Sequence, residues 1–256
     1  MSAESGVPTF RGAGGLWRAH DPRELATPEA FRRDPRLVWE FYAWRRAVVA
    51  ACAPHEGHRA VARYALARPG EVTLITQNVD GLHEVAAREA ARDASLEAAR
   101  WAGSGAGAGP ADTVDASPAL PLNLHGTLFG VRCTRCGARR PHREAIDTED
   151  AGALPRCADC GGLLRPDVVW FGEALDPEVI ERAVVSARAA DACLVVGTSA
   201  LVHPAASLPR ITLEAGGSVV EINPEETPLT PCASIHLRGT AGEVLPRLLA
   251  VPDGPG

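Results

Sequence analysis

The sequence predicts an α/β fold, a parallel sheet with helices on both faces, carrying a small metal-stapled insert. Three observations predict it. Short continuous apolar runs recur along the chain, as strands buried on both faces require. Helical segments separate them, which is the pattern of parallel crossovers. Cys133-x-x-Cys136 and Cys157-x-x-Cys160 stand twenty residues apart. Two such knuckles supply the four thiolates of a closed tetrahedral Zn²⁺ site.

The elements follow in order. Residues from Leu37 to about Cys52 read as a helix, with Val38, Phe41, Tyr42, Arg45, Val48 and Val49 along one side. Val72–Thr76 reads as a buried strand that ends in the polar turn Gln77-Asn78-Val79-Asp80-Gly81. The stretch at about 86–120 begins as an Ala/Glu/Arg helix and becomes Gly103-Ser104-Gly105-Ala106-Gly107-Ala108-Gly109-Pro110, a low-complexity linker expected to form a flexible surface excursion. His125-Gly126 precedes the cysteine-bearing segment at about 127–165. Cys193–Gly197 and Ser218–Ile222 read as two further strands, closed by Gly197-Thr198-Ser199 and Asn223-Pro224-Glu225. Ligands of such sheets sit at the carboxyl ends of the strands, so these polar turns are candidate binding loops.

Composition bounds the function. A chain of 256 residues suits one larger domain with a small insert. A formal charge of −6 gives no overall basic field for nucleic acid. The chain contains no lysine, so all 26 of its Lys+Arg residues are arginine. Four of seven cysteines are claimed by the knuckles; Cys52, Cys193 and Cys232 are scattered, with Cys193 in an apolar run as an expected buried thiol. That usage fits a reducing, intracellular compartment rather than a disulfide framework. No apolar run reaches the roughly 20 residues of a membrane span.

Read by residue type alone, several constellations stay open. The four cysteines leave no vacant coordination position, so their zinc is structural; an iron–sulfur site is the less common alternative for this spacing. Gly12–Gly15 serves equally as a phosphate cradle or as a plain loop. Tyr42 and Arg45 stand at i and i+3 on one helix face, where a carboxylate could be gripped, but an ordinary amphipathic helix explains the pair as well.

Together the segments Ser2–Gly12, Thr76–His83, Leu124-His125-Gly126, the four cysteines, Val169-Trp170-Phe171-Gly172-Glu173, Gly197-Thr198-Ser199 and Glu221-Ile222-Asn223 resemble the sirtuin family of NAD-dependent protein-lysine deacylases. They occur in family order over nearly the whole chain. The resemblance implies a Rossmann-type NAD domain made of residues 1–126 and 166–256, and a zinc insert at 127–165. It implies that His125 is the general base, with Asn78 beside it in catalysis. It places Ser2, Ala3, Glu4, Phe10, Arg11, Trp17, Gln77, Asn78, Val79, Asp80, Gly197, Thr198, Ser199, Asn223, Pro224, Glu225 and Ala241 around NAD. Val169, Phe171 and Gly172 would flank an acyl-lysine peptide. Phe41-Tyr42-Ala43-Trp44-Arg45-Arg46 resembles the branch that removes succinyl, malonyl and glutaryl groups, with Tyr42 and Arg45 on the acyl carboxylate. Acyl-lysine proteins are the implied partners, met by a monomer in a mitochondrial or cytosolic setting.

Two departures accompany the resemblance. The family's opening G-A-G-x-S-A-E-S-G follows a first strand, whereas this chain opens at Met1-Ser2-Ala3-Glu4. The strand and its G-A-G turn are expected to be missing, with Met1 an internal methionine. Asn78 and His125 are also 47 positions apart, a far longer connection than the family's. Two rival readings stand beside the acidic-acyl deacylase: a deacetylase of the same family, and a zinc-containing binding protein impaired by the missing turn.

Overall fold

The structure is a computed structural model and describes residues 1–8, 17, 20–102 and 114–250. After a single 3₁₀ turn at Ser2–Ser5, short helices α1 (Pro22–Leu25) and α2 (Pro28–Arg33) lead into α3 (Pro35–Ala50). Each of the three starts with proline at its first position and an Asp or Thr side chain accepting a backbone N–H. Proline there loses no helical hydrogen bond, and the cap satisfies an orphan donor.

Helix α3 is held by burial rather than propensity. Val38, Trp39, Phe41 and Tyr42 are fully buried or within 1% of it. Each contributes roughly 1.5–3 kcal/mol, against propensity penalties of a few tenths. Two side chains then fix its docking. Trp39 Nε1 donates to the Leu164 carbonyl at 3.0 Å, and Arg46 donates to the carbonyls of Leu128 (2.6 Å) and Gly130 (2.9 Å).

Helix α4 (Glu56–Ala67) precedes β1 (Ile75–Thr76), and α5 (Leu82–Ala102) follows it. The expected strand at Val72–Thr76 is thus reduced to its last two residues. Its pairing is limited to the equally short β2 (Leu122–Asn123), in parallel. The expected excursion at about 86–120 also begins later: α5 runs to Ala102, and Ala86 and Ala87 are fully buried with Ala62 and Ala65 of α4. The small side chains let the two helices approach closely. The glycine-rich run itself lies outside the described residues.

Strand β3 (Gly126–Cys133) lies between β4 (Arg139–Pro141) and β5 (Leu164–Val168) in an antiparallel sheet. The β3–β5 register shifts between Gly126 and Val131. This is where Arg46 fills the Leu128 and Gly130 carbonyls that the ladder leaves over. Helix α6 (Pro177–Ala189), β6 (Ala192–Val196), α7 (Leu208–Glu214), β7 (Ser218–Asn223), β8 (Ile235–Arg238) and α8 (Ala241–Leu248) complete the described chain. Strands β6, β7 and β8 pair in parallel. Parallel pairing is as expected, but it comes in two pieces: β1–β2 and β6–β7–β8 are separate sheets. No described helix is long and apolar enough to cross a membrane.

The first turn meets the start of α8. The Glu4 carboxylate accepts from the backbone N–H groups of Ala241 (3.2 Å) and Gly242 (2.7 Å) at the start of α8. An anion there answers both the orphan donors and the helix dipole.

Candidate functional site

The knuckles form as their spacing requires. In each, a glycine in the left-handed region follows the second cysteine: Gly137 at φ 74° and Gly161 at φ 71°. Their N–H groups return to the carbonyls of Cys133 (3.1 Å) and Cys157 (2.8 Å), which turns the chain back on itself. The Cys133 and Cys160 sulfurs are 3.4 Å apart, those of Cys136 and Cys157 3.8 Å, and all four lie within 4.8 Å of one another. Four sulfurs at about 2.3 Å from one Zn²⁺ sit about 3.8 Å apart, so the donor set and its spread fit the ion. A Cβ on Gly162 would lie 3.0 Å from the Cys133 sulfur and 3.3 Å from that of Cys160, so this glycine keeps room for the cluster.

A cleft of about 1140 Å³ opens between the two parallel sheets. Its wall includes Ser2, Ala3, Arg45, Leu74 to Asp80, Phe171, Cys193 to Val202, Asn223 and Glu225. Its size suits a large ligand. The expected binding turns thus converge on one space, at the carboxyl ends of β1, β6 and β7. Cys193, expected to be buried, is half-buried in this wall.

The polar floor is cross-linked. Ser2 Oγ donates to Asp80 Oδ2 at 2.5 Å, and the Leu82 N–H donates to Asp80 Oδ1 at 3.0 Å. Each carboxylate oxygen keeps a lone pair for an amide N–H. Asn223 Nδ2 donates to the Thr198 carbonyl at 2.8 Å, tying the turns after β6 and β7 together. A Cβ on Gly197 would lie 2.9 Å from the Met1 nitrogen, so only glycine lets the chain pass there.

His125 is outside the cleft wall itself and joins it through Gln77. Its Nδ1 lies 3.0 Å from the Gln77 carbonyl oxygen. That oxygen only accepts, so Nδ1 carries the proton and Nε2 the lone pair. Burial lowers the imidazole pKa, with the Gln77 carbonyl pulling the other way. The result is a neutral base at neutral pH.

Several expected residues do not line the cleft. Glu4 and Ala241 are outside the cleft wall because each is the other's hydrogen-bond partner. Trp17 is 7% exposed and packs edge-on against Phe41, at 5.5 Å between ring centroids. Val169 donates its N–H to the His125 carbonyl at 2.9 Å and so braces the histidine's backbone. Gly172 occupies a turn at φ 84°, and Pro224 gives its carbonyl to Arg238. Phe10 and Arg11 lie outside the described residues. Tyr42 is fully buried behind Arg45, which reaches the wall. Burial raises the Tyr42 pKa, so the phenol stays protonated; burial lowers that of Arg45, with Tyr42 and Asp80 pulling the other way.

Behind this corner lie Arg165, which sequence reasoning passed over, and Trp170 and Glu173, which it named only within the Val169–Glu173 segment. Trp170 Nε1 donates to the Tyr42 hydroxyl at 2.8 Å. Arg165 lies 3.3 Å from the Trp170 ring centroid and pairs with Glu173 at 2.5 Å. A tryptophan followed three residues later by glutamate was the only available signal. The partner of that tryptophan stands 128 positions away.

The family profile described as "Sir2 family" matches residues 1–95 and 117–204. The chain is 47% identical over 250 residues to the NAD-dependent protein deacylase 2 of Pyrobaculum aerophilum, covering 97% of this chain and 86% of that protein. It is 46% identical over 255 residues to the NAD-dependent protein deacylase of Pyrococcus abyssi, covering 97% and 88%. Among solved structures, a Sir2 homolog–NAD complex matches at 45% identity and TM-score 0.77, over 97% of this chain and 84% of that one. A Sir2 homologue mutant bound to 2′-O-acetyl ADP ribose matches at 45% identity and TM-score 0.77, over 97% and 86%.

Proposed function

Because this chain belongs to the Sir2 family, we propose that it is an NAD-dependent protein-lysine deacylase that favours succinyl-, malonyl- and glutaryl-lysine. The observation that carries the deacylase reading is His125, neutral, with Nδ1–H spent on Gln77 and Nε2 left to take a proton beside the cleft floor. NAD supplies an electrophilic ribose carbon for the acyl oxygen and the ADP-ribose that keeps the acyl group.

The chain's own residues then have distinct tasks. Asp80, positioned by Ser2 and Leu82, accepts from the nicotinamide carboxamide. Asn78 orients the ribose, and His125 Nε2 takes the proton of a ribose hydroxyl. Gly197, Thr198, Ser199, Asn223 and Glu225 bind the adenosine side. Glu4 orders the loop that carries Ser2 rather than touching the dinucleotide. The peptide lies along Phe171, and the zinc knuckles, residues 127–165, form the small domain of this reading.

Arg45 supports the acidic-acyl preference. It is 9% exposed, reaches the cleft wall, and adjoins the Tyr42 hydroxyl. A guanidinium so buried suits an acyl chain ending in a carboxylate better than a methyl group. A second reading, deacetylation, is favoured by the relative bound to 2′-O-acetyl ADP ribose.

The test is mass-spectrometric turnover of matched succinyl- and acetyl-peptides with NAD. The enzyme has no lysine of its own, so it adds no acyl-lysine background. His125→Tyr abolishes deacylation while zinc stays bound. Arg45→Met lowers succinyl-peptide kcat/KM by roughly ten- to a hundredfold and spares the acetyl peptide. Near-normal turnover by His125→Tyr overturns the base assignment; equal losses on both peptides overturn the acidic-acyl preference.

A further inference from the structure

The hydrogen bond between Trp170 and Tyr42 lies just behind the cleft wall that Arg45 reaches. Trp170 is 3% exposed and Tyr42 is 0%. The indole is clamped. Arg165 covers one of its faces, Phe31 packs at 5.4 Å between centroids, and its backbone N–H donates to Glu173 Oε2 at 2.9 Å. Arg165 is kept in place by its own pair with Glu173 and by its bond to the Val168 carbonyl at 2.8 Å. Nothing in this arrangement leaves the ring free to turn.

An indole N–H only donates, so Tyr42 Oη can only accept from it. The Arg45 guanidinium adjoins the same hydroxyl and can only donate, so it too faces the oxygen's lone pairs. A phenolic oxygen has two acceptor sites and one proton. With two donors facing the oxygen, the proton is the valence left to offer. No acceptor for it exists among the described residues. Arg45 lines the cleft in the same corner.

We propose that Trp170 is a positioning residue for acyl specificity: its fixed Nε1–H turns the Tyr42 hydroxyl so that its proton is given to an acyl carboxylate. The proposal rests on the acidic-acyl reading of Tyr42 and Arg45 given above. It adds that selectivity for a terminal carboxylate is set one layer behind the residues that touch it. A phenylalanine at 170 would keep the ring stack but let the hydroxyl rotate and spend its proton elsewhere.

The experiment uses the full chain and fluorescein-labelled succinyl-lysine and acetyl-lysine peptides of one sequence, with binding read by anisotropy without NAD. Trp170→Phe weakens succinyl-peptide binding roughly three- to tenfold and leaves acetyl-peptide binding unchanged. In a Tyr42→Phe background the same substitution has no further effect, because there is no hydroxyl left to orient. Equal weakening of both peptides, or losses that multiply in the double variant, overturns the proposal. If Trp170→Phe does not fold, benzothienylalanine at position 170 replaces the N–H by sulfur in an almost identical ring. In ¹⁵N-indole spectra, the Trp170 resonance moves upfield in Tyr42→Phe; a resonance that does not move overturns the hydrogen bond itself. Should Tyr42→Phe and Arg45→Met leave the succinyl-to-acetyl ratio unchanged, the acidic-acyl reading fails and the proposal with it. Selective losses in those two, with a wild-type ratio in Trp170→Phe, overturn the role of Trp170 alone.

Discussion

Gly126→Ala tests how the base is held by adding one methyl group. Gly126 sits at φ 76°, pairs with Val168, and follows His125 directly. Left-handed backbone costs a residue with a Cβ roughly 1–2 kcal/mol. Here the Cβ would also lie 2.1 Å from the Asp167 carbonyl oxygen and 3.1 Å from its carbon. Real Cβ atoms essentially never come within 3.0 Å of such a neighbour. Strands β3 and β5 must therefore part by about 1 Å, an overpacking cost of roughly 1–3 kcal/mol. The sum is roughly 2–5 kcal/mol, or a fall in Tm of roughly 5–20 °C for a chain of this size. Gly216→Ala is the control: φ is 93°, but nothing lies within 4 Å of its Cβ, so it carries the backbone cost alone. Thermal unfolding followed by circular dichroism measures both. Amide exchange at Val169, which donates to the His125 carbonyl, reports whether the histidine's brace has loosened. A Gly126→Ala variant as stable as Gly216→Ala, with Val169 protection intact, would refute the reasoning.

Further outcomes follow from the same structure. Elemental analysis finds about one Zn²⁺ per chain, and Cys157→Ser releases it and lowers Tm sharply, since structural zinc contributes on the order of 10 kcal/mol and Cys157 lies in the apolar cluster that holds Tyr42 and Trp170. Glu173→Gln strands the buried Arg165 and costs roughly 3–5 kcal/mol by urea unfolding, whereas an Arg165→Met, Glu173→Leu double variant recovers most of it. Stability also falls in acid. Burial, then the neighbouring imidazoles, lowers His58 to about 2, while burial lowers His83 to about 4 against the pull of Asp80. The unfolded chain binds protons below about pH 6.5 that the folded chain refuses, so stability is intact above that value. It is lost by up to about 1.4 kcal/mol per pH unit per histidine as the pH drops toward 4. His83→Gln flattens the slope of Tm against pH between 6.5 and 4; an unchanged slope removes His83 from this account.

What the sequence revealed depended on how local the chemistry is. The zinc cluster was legible because four thiols at two-residue gaps leave few other uses, and the coordinating turn is made within five residues. The binding turns after β1, β6 and β7 were legible because an apolar run ending in Gln-Asn, Gly-Thr or Asn-Pro marks a strand's carboxyl end. The strand at Val72–Thr76 was overread, since apolar character shows burial but not whether a ladder partner is alongside. Ala86 and Ala87 were misjudged for a related reason: alanine is equally at home on a surface helix or in a tight helix–helix contact, and only α4 decides. The partners of Glu4, Arg46 and Trp170 were illegible because each bond spans more than eighty positions. Side-chain type gives the capacity to donate or accept; the fold alone supplies the address.

The Glu4 bond to α8 also sets a clock. Its two donors are 237 and 238 positions later in the chain. On a ribosome adding roughly 5–20 residues per second, that carboxylate waits roughly ten to fifty seconds for them to be made. The zinc knuckles and the α3 packing are complete in sequence well before then. The 3₁₀ turn bearing Ser2 is thus made long before the helix that anchors it. A nascent chain stalled short of Ala241 would have a closed metal site and an unmoored first turn, a state that proteases and chaperones can tell from the finished molecule.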